Sequence, residues 1–292
     1  MKLALIQLNG GPDVAQNLER ADALIREAIG QGAEFVATPE VTNLIAPSRD
    51  ILFETIRDEQ HDESLAALRA LARELGISLL IGSLALRSEE DADKDSAEET
   101  DKVTERESGR ACNRSFLIGP DGAIRARYDK IHMFEADLGE KGRYREAKNY
   151  RPGEKAVLAP AGNATLGMTI CYDLRFPQLY RDLARAGAQI LSVPSAFTVP
   201  TGKAHWHVLL RARASETGCF LIAPAQWGKH GGGEASFRES YGHSLIIAPW
   251  GEVLADAGEG EGIVMAELDL AMVEQARARI PSLTTGAQWS SG

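Results

Sequence analysis

The sequence predicts an α/β protein in which helices cover the faces of β-sheets. Short apolar runs of strand length alternate along the chain with segments whose apolar residues recur at helical spacing. The chain has 292 residues, 44% of them hydrophobic and 25% charged, so it is long and apolar enough to bury a sizeable core. Neither an internal repeat nor a linker rich in proline or serine divides it. We therefore expect one domain over residues 1–292.

The first third of the chain alternates strands with helices. The predicted elements are a strand at 2–8, a helix at 16–30, a strand at 34–37, a helix at 64–75 and a strand at 77–84. Leu18, Ala21 and Ile25 give the first helix an apolar face, and Leu65 and Leu68 do the same for the second. The strands are short apolar runs.

Residues 87–110 have a different composition from the segments on either side. They contain ten Asp and Glu residues against five Lys and Arg residues, and almost no large apolar side chains. Such a segment buries too little apolar surface to offset the entropy lost on ordering. We expect a solvated, mobile loop here, with an acidic partner-binding segment as the alternative.

The second half of the chain begins with a hairpin. Residues 112–119 and 123–130 are extended runs around the turn Pro120-Asp121-Gly122. The later predicted elements are strands at 164–170 and 189–193, a helix at about 204–217, and strands at 219–223, 243–248 and 262–268. The glycine-rich residues 258–262 precede a strand instead of following one, so they predict a hairpin turn and not a dinucleotide-binding loop.

A further helix is predicted to begin at Pro177, because proline suits the first turn of a helix. Leu179, Leu183 and Ala186 form its inner face. Gly187 supplies a C-terminal stop.

Composition excludes several classes of function. The 32 Lys and Arg residues are outnumbered by 42 Asp and Glu residues, giving a net charge of −10, which disfavours binding to nucleic acids and to anionic membranes. No apolar run approaches the roughly 20 residues of a membrane helix, and the first residues lack a secretory apolar region. We expect a cytoplasmic protein. His205 and His207 lie two apart on a predicted helix and do not face each other, so we expect no metal site there. We also expect no cofactor.

Cys171 is the main candidate nucleophile among the three cysteines. It lies where a predicted strand ends and a helix is about to begin, so the helix dipole and nearby N–H groups would lower the pKa of its thiol. Cys112 and Cys219 lie within strand-like runs and are interpreted as small core residues. On these features alone, a buried and inert Cys171 stays the alternative.

A nucleophilic thiol needs a base and a partner for the oxyanion that develops during attack. Glu40 ends the strand-like run FVATPE, and Lys130 ends the second strand of the predicted hairpin. A carboxylate, an ammonium and a thiol at three strand ends could converge on one pocket.

These residues belong to segments that resemble the signatures of the nitrilase superfamily, the carbon–nitrogen hydrolases. The matching segments, in order, are PE at 39–40, DKIHMF at 129–134, YRE at 144–146, MTICYDLRFPQL at 168–179, the run 193–230, the run 240–256 and IPSL at 280–283. The resemblance covers nearly the whole chain except the acidic segment. Within the superfamily the chain is most similar to the Nit branch.

The resemblance implies a fold, an activity and an assembly. The fold is a four-layer αββα sandwich, and the activity is hydrolysis of a linear amide of a small carboxylated substrate, with release of ammonia through a cysteine thioester. Deaminated glutathione is the favoured substrate, 2-oxoglutaramate-type acids are the alternative for an omega-amidase, and a catalytically inactive binding relative is the alternative of another class. The implied assembly is a homodimer or larger homo-oligomer built by residues 177–186 and the C-terminal region.

The resemblance also implies roles for individual residues. Cys171 attacks the amide carbon, Glu40 is the general base and acid, and Lys130 with the backbone N–H of Tyr172 stabilises the oxyanion. Glu146 is a second glutamate that lines the pocket and holds Lys130 or the substrate.

Three further residues are expected near the substrate. Arg175 either binds a substrate carboxylate, for which bidentate pairing is suited, or forms a structural ion pair with a nearby acid such as Asp173. Phe197 and Thr198 are expected to line the pocket from the end of the neighbouring strand.

Overall fold

The computed structural model describes residues 1–88, 109–137, 143–231 and 238–285. The predicted acidic loop at 87–110 lies outside the described residues except at its two ends. Within the described ranges, no helix combines the length and the apolar character that crossing a bilayer requires.

Two mixed β-sheets form the centre of the described structure. In chain order the strands are β1 (Lys2–Gln7), β2 (Phe35–Ala37), β3 (Ser78–Arg87), β4 (Ala111–Ile118), β5 (Ile124–Asp129), β6 (Glu135–Asp137), β7 (Arg143–Arg145), β8 (Val157–Ala161), β9 (Ala164–Met168), β10 (Ile190–Ser192), β11 (Phe220–Ala223), β12 (Trp227–His230), β13 (Arg238–Tyr241), β14 (Leu245–Ile247), β15 (Val253–Asp256) and β16 (Gly262–Glu267). The first sheet has the order β16-β1-β2-β3-β4-β5, and the second β15-β14-β11-β10-β9-β8. Each sheet contains three neighbouring parallel strands extended on both sides by antiparallel ones.

The described residues contain six α-helices, namely α1 (Val14–Gly30), α2 (Arg49–Thr55), α3 (Glu63–Leu75), α4 (Pro177–Arg185), α5 (Val199–Thr217) and α6 (Ala271–Arg279). Helices α1 and α3 cover the outer face of the first sheet, and α4 and α5 cover that of the second. Helices α1 and α3 each begin at an aspartate N-cap. The side chain of Asp13 accepts from the N–H of Gln16, and that of Asp62 accepts from the N–H of Leu65.

The alternation of side chains along β1 shows how the layers form. Ala4 and Ile6 pack in a core with α1 and α3, whereas Leu3 and Leu5 pack in a second core with residues of the other sheet such as Leu166. The helices α4 and α5 pack on the far side of the second sheet. The molecule is therefore the four-layer αββα sandwich that the resemblance implied.

Several predicted boundaries were wrong. The helix expected at 204–217 begins five residues earlier, at Val199, because Pro200 fits its first turn. In α4 the buried alanine is Ala184, and Ala186 lies past the helix end on the surface. The short helices α2 and α6 and the two-stranded ribbons β6–β7 and β12–β13 were not predicted.

The glycine-rich residues 258–262 do not form a hairpin turn. Strand β15 pairs with β14 in the second sheet and β16 pairs with β1 in the first, so the segment crosses from one sheet to the other. The side-chain amide of Gln7 holds it by donating to the carbonyl oxygens of Gly258 at 2.9 Å and Gly260 at 2.7 Å. Local turn signals cannot distinguish such a crossover from a hairpin, because both need the same flexible residues.

Candidate active site

A cavity of about 390 Å³ lies where strands of both sheets end. Glu40 follows β2 and Lys130 follows β5 in the first sheet, while Cys171 follows β9 in the second. All the residues that the sequence nominated for catalysis or substrate binding line this cavity: Glu40, Lys130, Glu146, Cys171, Tyr172, Arg175, Phe197 and Thr198. The fold thus brings together side chains that are up to 158 residues apart in the chain.

A tight turn after β2 presents Glu40 to the cavity. The residue that follows, Val41, has a left-handed φ of 49°, and its N–H donates to Ser83 Oγ at 2.8 Å. Gly82 lets the neighbouring strand approach this turn, because a Cβ there would lie 2.0 Å from the carbonyl oxygen of Thr38. Gln226 also holds the turn by donating to the carbonyl oxygen of Glu40 at 3.1 Å.

Lys130 and two glutamates form a buried ionic cluster. Lys130 Nζ lies 2.8 Å from Glu40 Oε1, and 2.9 and 2.8 Å from the two carboxylate oxygens of Glu146. The other oxygen of Glu40, Oε2, accepts from the backbone N–H of Ala196 at 2.8 Å. Glu146 Oε2 accepts from the N–H of Phe134 at 2.6 Å. Each charge in the cluster is met by an opposite charge or by an N–H donor, as a buried charge requires.

The cluster keeps Glu40 and Lys130 charged at neutral pH. Burial would raise the pKa of the Glu40 carboxyl, but the Lys130 ammonium and hydrogen bonds from Lys130 and Cys171 hold that pKa below its ordinary value. Burial would lower the pKa of Lys130, but the charges of Glu146 and Glu40 raise it well above its ordinary value. Glu40 is therefore a carboxylate able to accept a proton, and Lys130 is an ammonium.

Cys171 lies at a strained turn between β9 and a short 3₁₀ helix, Cys171–Arg175. Its φ is 49°, a left-handed value unusual for a residue with a side chain, and its N–H donates to the carbonyl oxygen of Pro194 at 2.9 Å. The Cys171 thiol lies beside the Glu40 carboxylate, close enough for each group to shift the pKa of the other. The turn therefore aims the sulfur at the base.

The predicted lowering of the thiol pKa was wrong. Burial and the nearby Glu40 carboxylate raise the pKa of Cys171, and together they exceed the opposing effects of Lys130 and a backbone hydrogen bond. The sequence argument weighed only the helix start and not the burial or the carboxylate. Cys171 is thus a neutral thiol beside a base.

Asp173 links the turn at Cys171 to the segment that carries Lys130. Its fully buried carboxylate accepts from Tyr128 Oη at 2.7 Å and from the N–H of Ile170 at 2.8 Å. It also contacts His132 through the backbone N–H at 3.0 Å and through Nδ1 at 2.7 Å. Because Tyr128 and His132 flank Lys130, one side chain fixes the position of the Cys171 turn relative to the Lys130 ammonium.

Arg175 does not form the structural ion pair considered above. Both residues are described, yet no ion pair joins Arg175 to Asp173, whose oxygens are bound by other donors. The guanidinium of Arg175 lies 5.8 Å from the ring centroid of Tyr172 and 5.7 Å from that of Phe197, and it contacts His205 Nδ1 at 3.3 Å. Arg175 therefore lies on the cavity wall, where it is half-buried.

Other polar groups of the site were missed by sequence reasoning. Asn113 on β4 and the backbone N–H of Ala196 both donate to Glu40. Arg49, Arg145 and Arg238 line the cavity together with Arg175. A polar asparagine within a buried strand is a signal that could have indicated Asn113, because such a side chain needs a partner.

Comparison with known proteins identifies the family of the chain. The carbon–nitrogen hydrolase family model matches residues 2–278. The chain is 37% identical to a deaminated glutathione amidase of Synechocystis sp. over 282 residues, which are 96% of each chain. It is 34% identical to an omega-amidase of Xenopus tropicalis over 282 residues, 96% of this chain and 92% of the relative.

A solved structure shows the same similarity. Nit3 of Saccharomyces cerevisiae, a member of branch 10 of the nitrilase superfamily, is 30% identical and superposes with a TM-score of 0.81. The match covers 98% of this chain and 95% of Nit3.

Proposed function

The chain belongs to the carbon–nitrogen hydrolase family, and we propose that it cleaves the amide of a small carboxylated acid, with deaminated glutathione as the favoured substrate. The observation that carries the proposal is the position of Glu40. One carboxylate contacts both the Cys171 thiol and the Lys130 ammonium at the cavity surface. This is the set of groups that amide cleavage through a thioester needs.

In the first half of the proposed reaction, the thiol of Cys171 adds to the amide carbon while its proton passes to Glu40. Lys130 and the backbone N–H of Tyr172 stabilise the oxyanion. Tyr172 lies in the first turn of the 3₁₀ helix, where N–H groups have no acceptor within the helix. Glu40 then returns the proton to the nitrogen, the carbon–nitrogen bond breaks and the amine leaves. The acyl group stays on the sulfur as a thioester.

In the second half, water attacks the thioester carbon while Glu40 accepts one of its protons. The carbon–sulfur bond breaks, the carboxylic acid leaves, and the proton held by Glu40 returns to the sulfur of Cys171. General acid–base help of this kind is worth about 10²–10⁴ in rate. A high pKa of the thiol suits this cycle, because Glu40 removes the proton only during the attack.

The positive groups of the cavity support a carboxylated substrate. Four arginines line it although the whole chain has a net charge of −10. Arg175 has its guanidinium on the cavity wall and is the arginine we assign to a substrate carboxylate, since planar bidentate pairing favours that partner. Phe197 and Thr198 line the wall beside it.

The candidate substrates differ in their leaving group. A primary amide such as 2-oxoglutaramate releases ammonia, whereas the γ-linked amide of deaminated glutathione releases a dipeptide amine. Release of ammonia is therefore expected from the primary amides only. The omega-amidase among the relatives makes 2-oxoglutaramate the second candidate.

A substrate panel tests the proposal. The purified protein is incubated with deaminated glutathione, 2-oxoglutaramate, succinamate and neutral amides, and acid, amine and ammonia are each quantified. We expect the highest kcat/KM for deaminated glutathione and no activity for Cys171→Ala. Equal activity on neutral and carboxylated amides would contradict the substrate class, and activity retained by Cys171→Ala would contradict the mechanism.

We also propose a homodimer or larger homo-oligomer in the cytoplasm. Val208 on α5 is 61% exposed and Ile280 at the end of α6 is 58% exposed, as expected of apolar residues that a second copy would cover. A nucleophilic thiol works only when reduced, which suits a reducing compartment. Light scattering of the wild type and of Val208→Asp tests the assembly, and fractionation of cells tests the compartment.

A further inference from the structure

Asn113 contacts every charged member of the ionic cluster. Its side-chain Nδ2 donates to Glu40 Oε1 at 2.9 Å and lies 3.4 Å from Glu146 Oε1. Its backbone carbonyl oxygen accepts from the N–H of Lys130 at 3.0 Å. The residue is only 2% exposed and lies within β4, so its position is fixed by the sheet.

The orientation of the Asn113 amide is set by charge. Its Nδ2 faces two carboxylates, while its buried Oδ1 has no hydrogen-bond partner. If the amide were rotated by 180°, Oδ1 would face both glutamates. Ionised carboxylates accept hydrogen bonds and cannot donate them, so Oδ1 would be repelled there. Buried acceptors without partners are rare in folded proteins, and each one calls for an explanation. The unsatisfied Oδ1 here is explained by the two bonds that Nδ2 makes.

The hydrogen bonds of Glu40 are divided unequally between its two oxygens. Oε1 accepts from Lys130 Nζ and Asn113 Nδ2, which occupies both of its lone-pair positions. Oε2 accepts from the backbone N–H of Ala196 and keeps one lone pair. The free position for a further proton is therefore on Oε2.

We propose that Asn113 is a positioning residue that makes Oε2 the basic oxygen of Glu40, by filling the last lone pair of Oε1. The inference rests on the proposed function, in which Glu40 accepts the thiol proton of Cys171. Without Asn113, a proton can also bind the vacated lone pair of Oε1, where it would neutralise the oxygen that accepts from Lys130. The proton path and the oxyanion partner are thereby kept separate.

Two substitutions test this role. Asn113→Ala removes the amide, and Asn113→Thr does the same with a β-branched side chain that suits a strand. Asn17→Ala is the matched control, because Asn17 is equally buried and donates to the carbonyl oxygens of Gly11 at 2.8 Å and Asn43 at 2.9 Å, neither of which belongs to the cluster. For each protein we measure amide turnover, and separately the rate at which iodoacetamide alkylates Cys171, from pH 3 to 8.

We expect both Asn113 variants to lose about 10- to 100-fold in kcat with KM within about twofold, as for loss of a hydrogen bond to a charged group. The rate of Cys171 alkylation falls in acid as Glu40 is protonated, and we call this fall the acidic limb. In both variants the limb should move to higher pH by about one pH unit, because a carboxylate that loses a donated hydrogen bond has a higher pKa. Asn17→Ala should change the melting temperature and leave this limb in place.

The proposal is overturned if both Asn113 variants keep the wild-type limb, or if Asn17→Ala moves it equally. Alkylation needs no amide substrate, so it separates the two claims. If no amide in the panel is cleaved, the proposed function fails while the alkylation limb still reports on Asn113. If amides are cleaved and the limb does not respond to Asn113, only the present inference fails.

Discussion

Cys171 and Cys112 are both buried thiols, but only one of them is equipped to react. Burial raises the pKa of both, to about 12 for Cys112. Cys112 lies inside β4, paired with Leu86, and belongs to a hydrophobic core. Cys171 follows its strand with a left-handed φ of 49° and lies beside the Glu40 carboxylate at the cavity.

On the proposed mechanism, a reactive thiol need not be an ionised one. Reactive cysteines are often recognised by a depressed pKa, and by that criterion neither residue would qualify. What distinguishes Cys171 is a base in contact with the sulfur and a strained turn that exposes it to the cavity. The two cysteines should therefore respond differently to substitution.

The largest effect is expected from removing each sulfur in turn. Cys171→Ala should lower kcat by about 10⁴-fold or more, as for other lost nucleophiles, while Cys112→Ala should leave turnover within about twofold. Initial rates measure this, and melting curves confirm that both variants fold. Comparable losses in the two variants would contradict the distinction between the sites.

Lys130→Ala tests the ammonium that lies beside Cys171 and Glu40. It removes the ammonium assigned to the oxyanion and leaves Glu40 and Glu146 facing each other. We expect kcat to fall by about 10²–10³-fold, the typical effect of losing one oxyanion donor. Steady-state kinetics gives kcat and KM separately, and a change confined to KM would argue against the oxyanion role.

Arg175→Met tests whether the Cys171 side of the cavity also selects the substrate. We expect KM for carboxylated amides to rise by about 10- to 100-fold, since a charge-assisted contact is lost. A neutral amide serves as the control and should show an unchanged KM. If both kinds of amide lose affinity equally, Arg175 shapes the cavity without binding a carboxylate.

The smallest expected effect is in the pH dependence of Cys171. Because the thiol stays protonated and the pKa of Glu40 is below its ordinary value, the alkylation rate should vary less than about threefold between pH 6 and 9. The rate should fall only in acid, as Glu40 is protonated. Glutathione is the control, and its rate should rise with ionisation of its thiol. A similar rise for Cys171 would show that ionisation of its own thiol limits the reaction.

The sequence supported the fold and the cluster to different degrees. Strands β1 and β9 and helices α1 and α3 followed from apolar periodicity, because local side-chain spacing reflects which face is buried. Glu40, Lys130, Glu146 and Cys171 were nominated from strand ends and from the family resemblance, and the structure brings them to one cavity.

What the sequence left out depends on contacts between distant parts of the chain. The raised pKa of Cys171 results from burial and from Glu40, which lies 131 residues away in the sequence. From the sequence, Asn113 was indistinguishable from the other residues of a buried strand, because its hydrogen-bond partners belong to other segments. The crossover at 258–262 was missed for the same reason, because strand pairing is not a local property.

Trapping of the thioester tests the role of Cys171 most directly. The enzyme is mixed with deaminated glutathione, quenched in acid within milliseconds to seconds, digested and examined by mass spectrometry. We predict an acyl group, equal in mass to the substrate minus its leaving amine, on the peptide that contains Cys171, at early times only. Release of the acid without that adduct, or the adduct on Cys112 or Cys219, would contradict the mechanism.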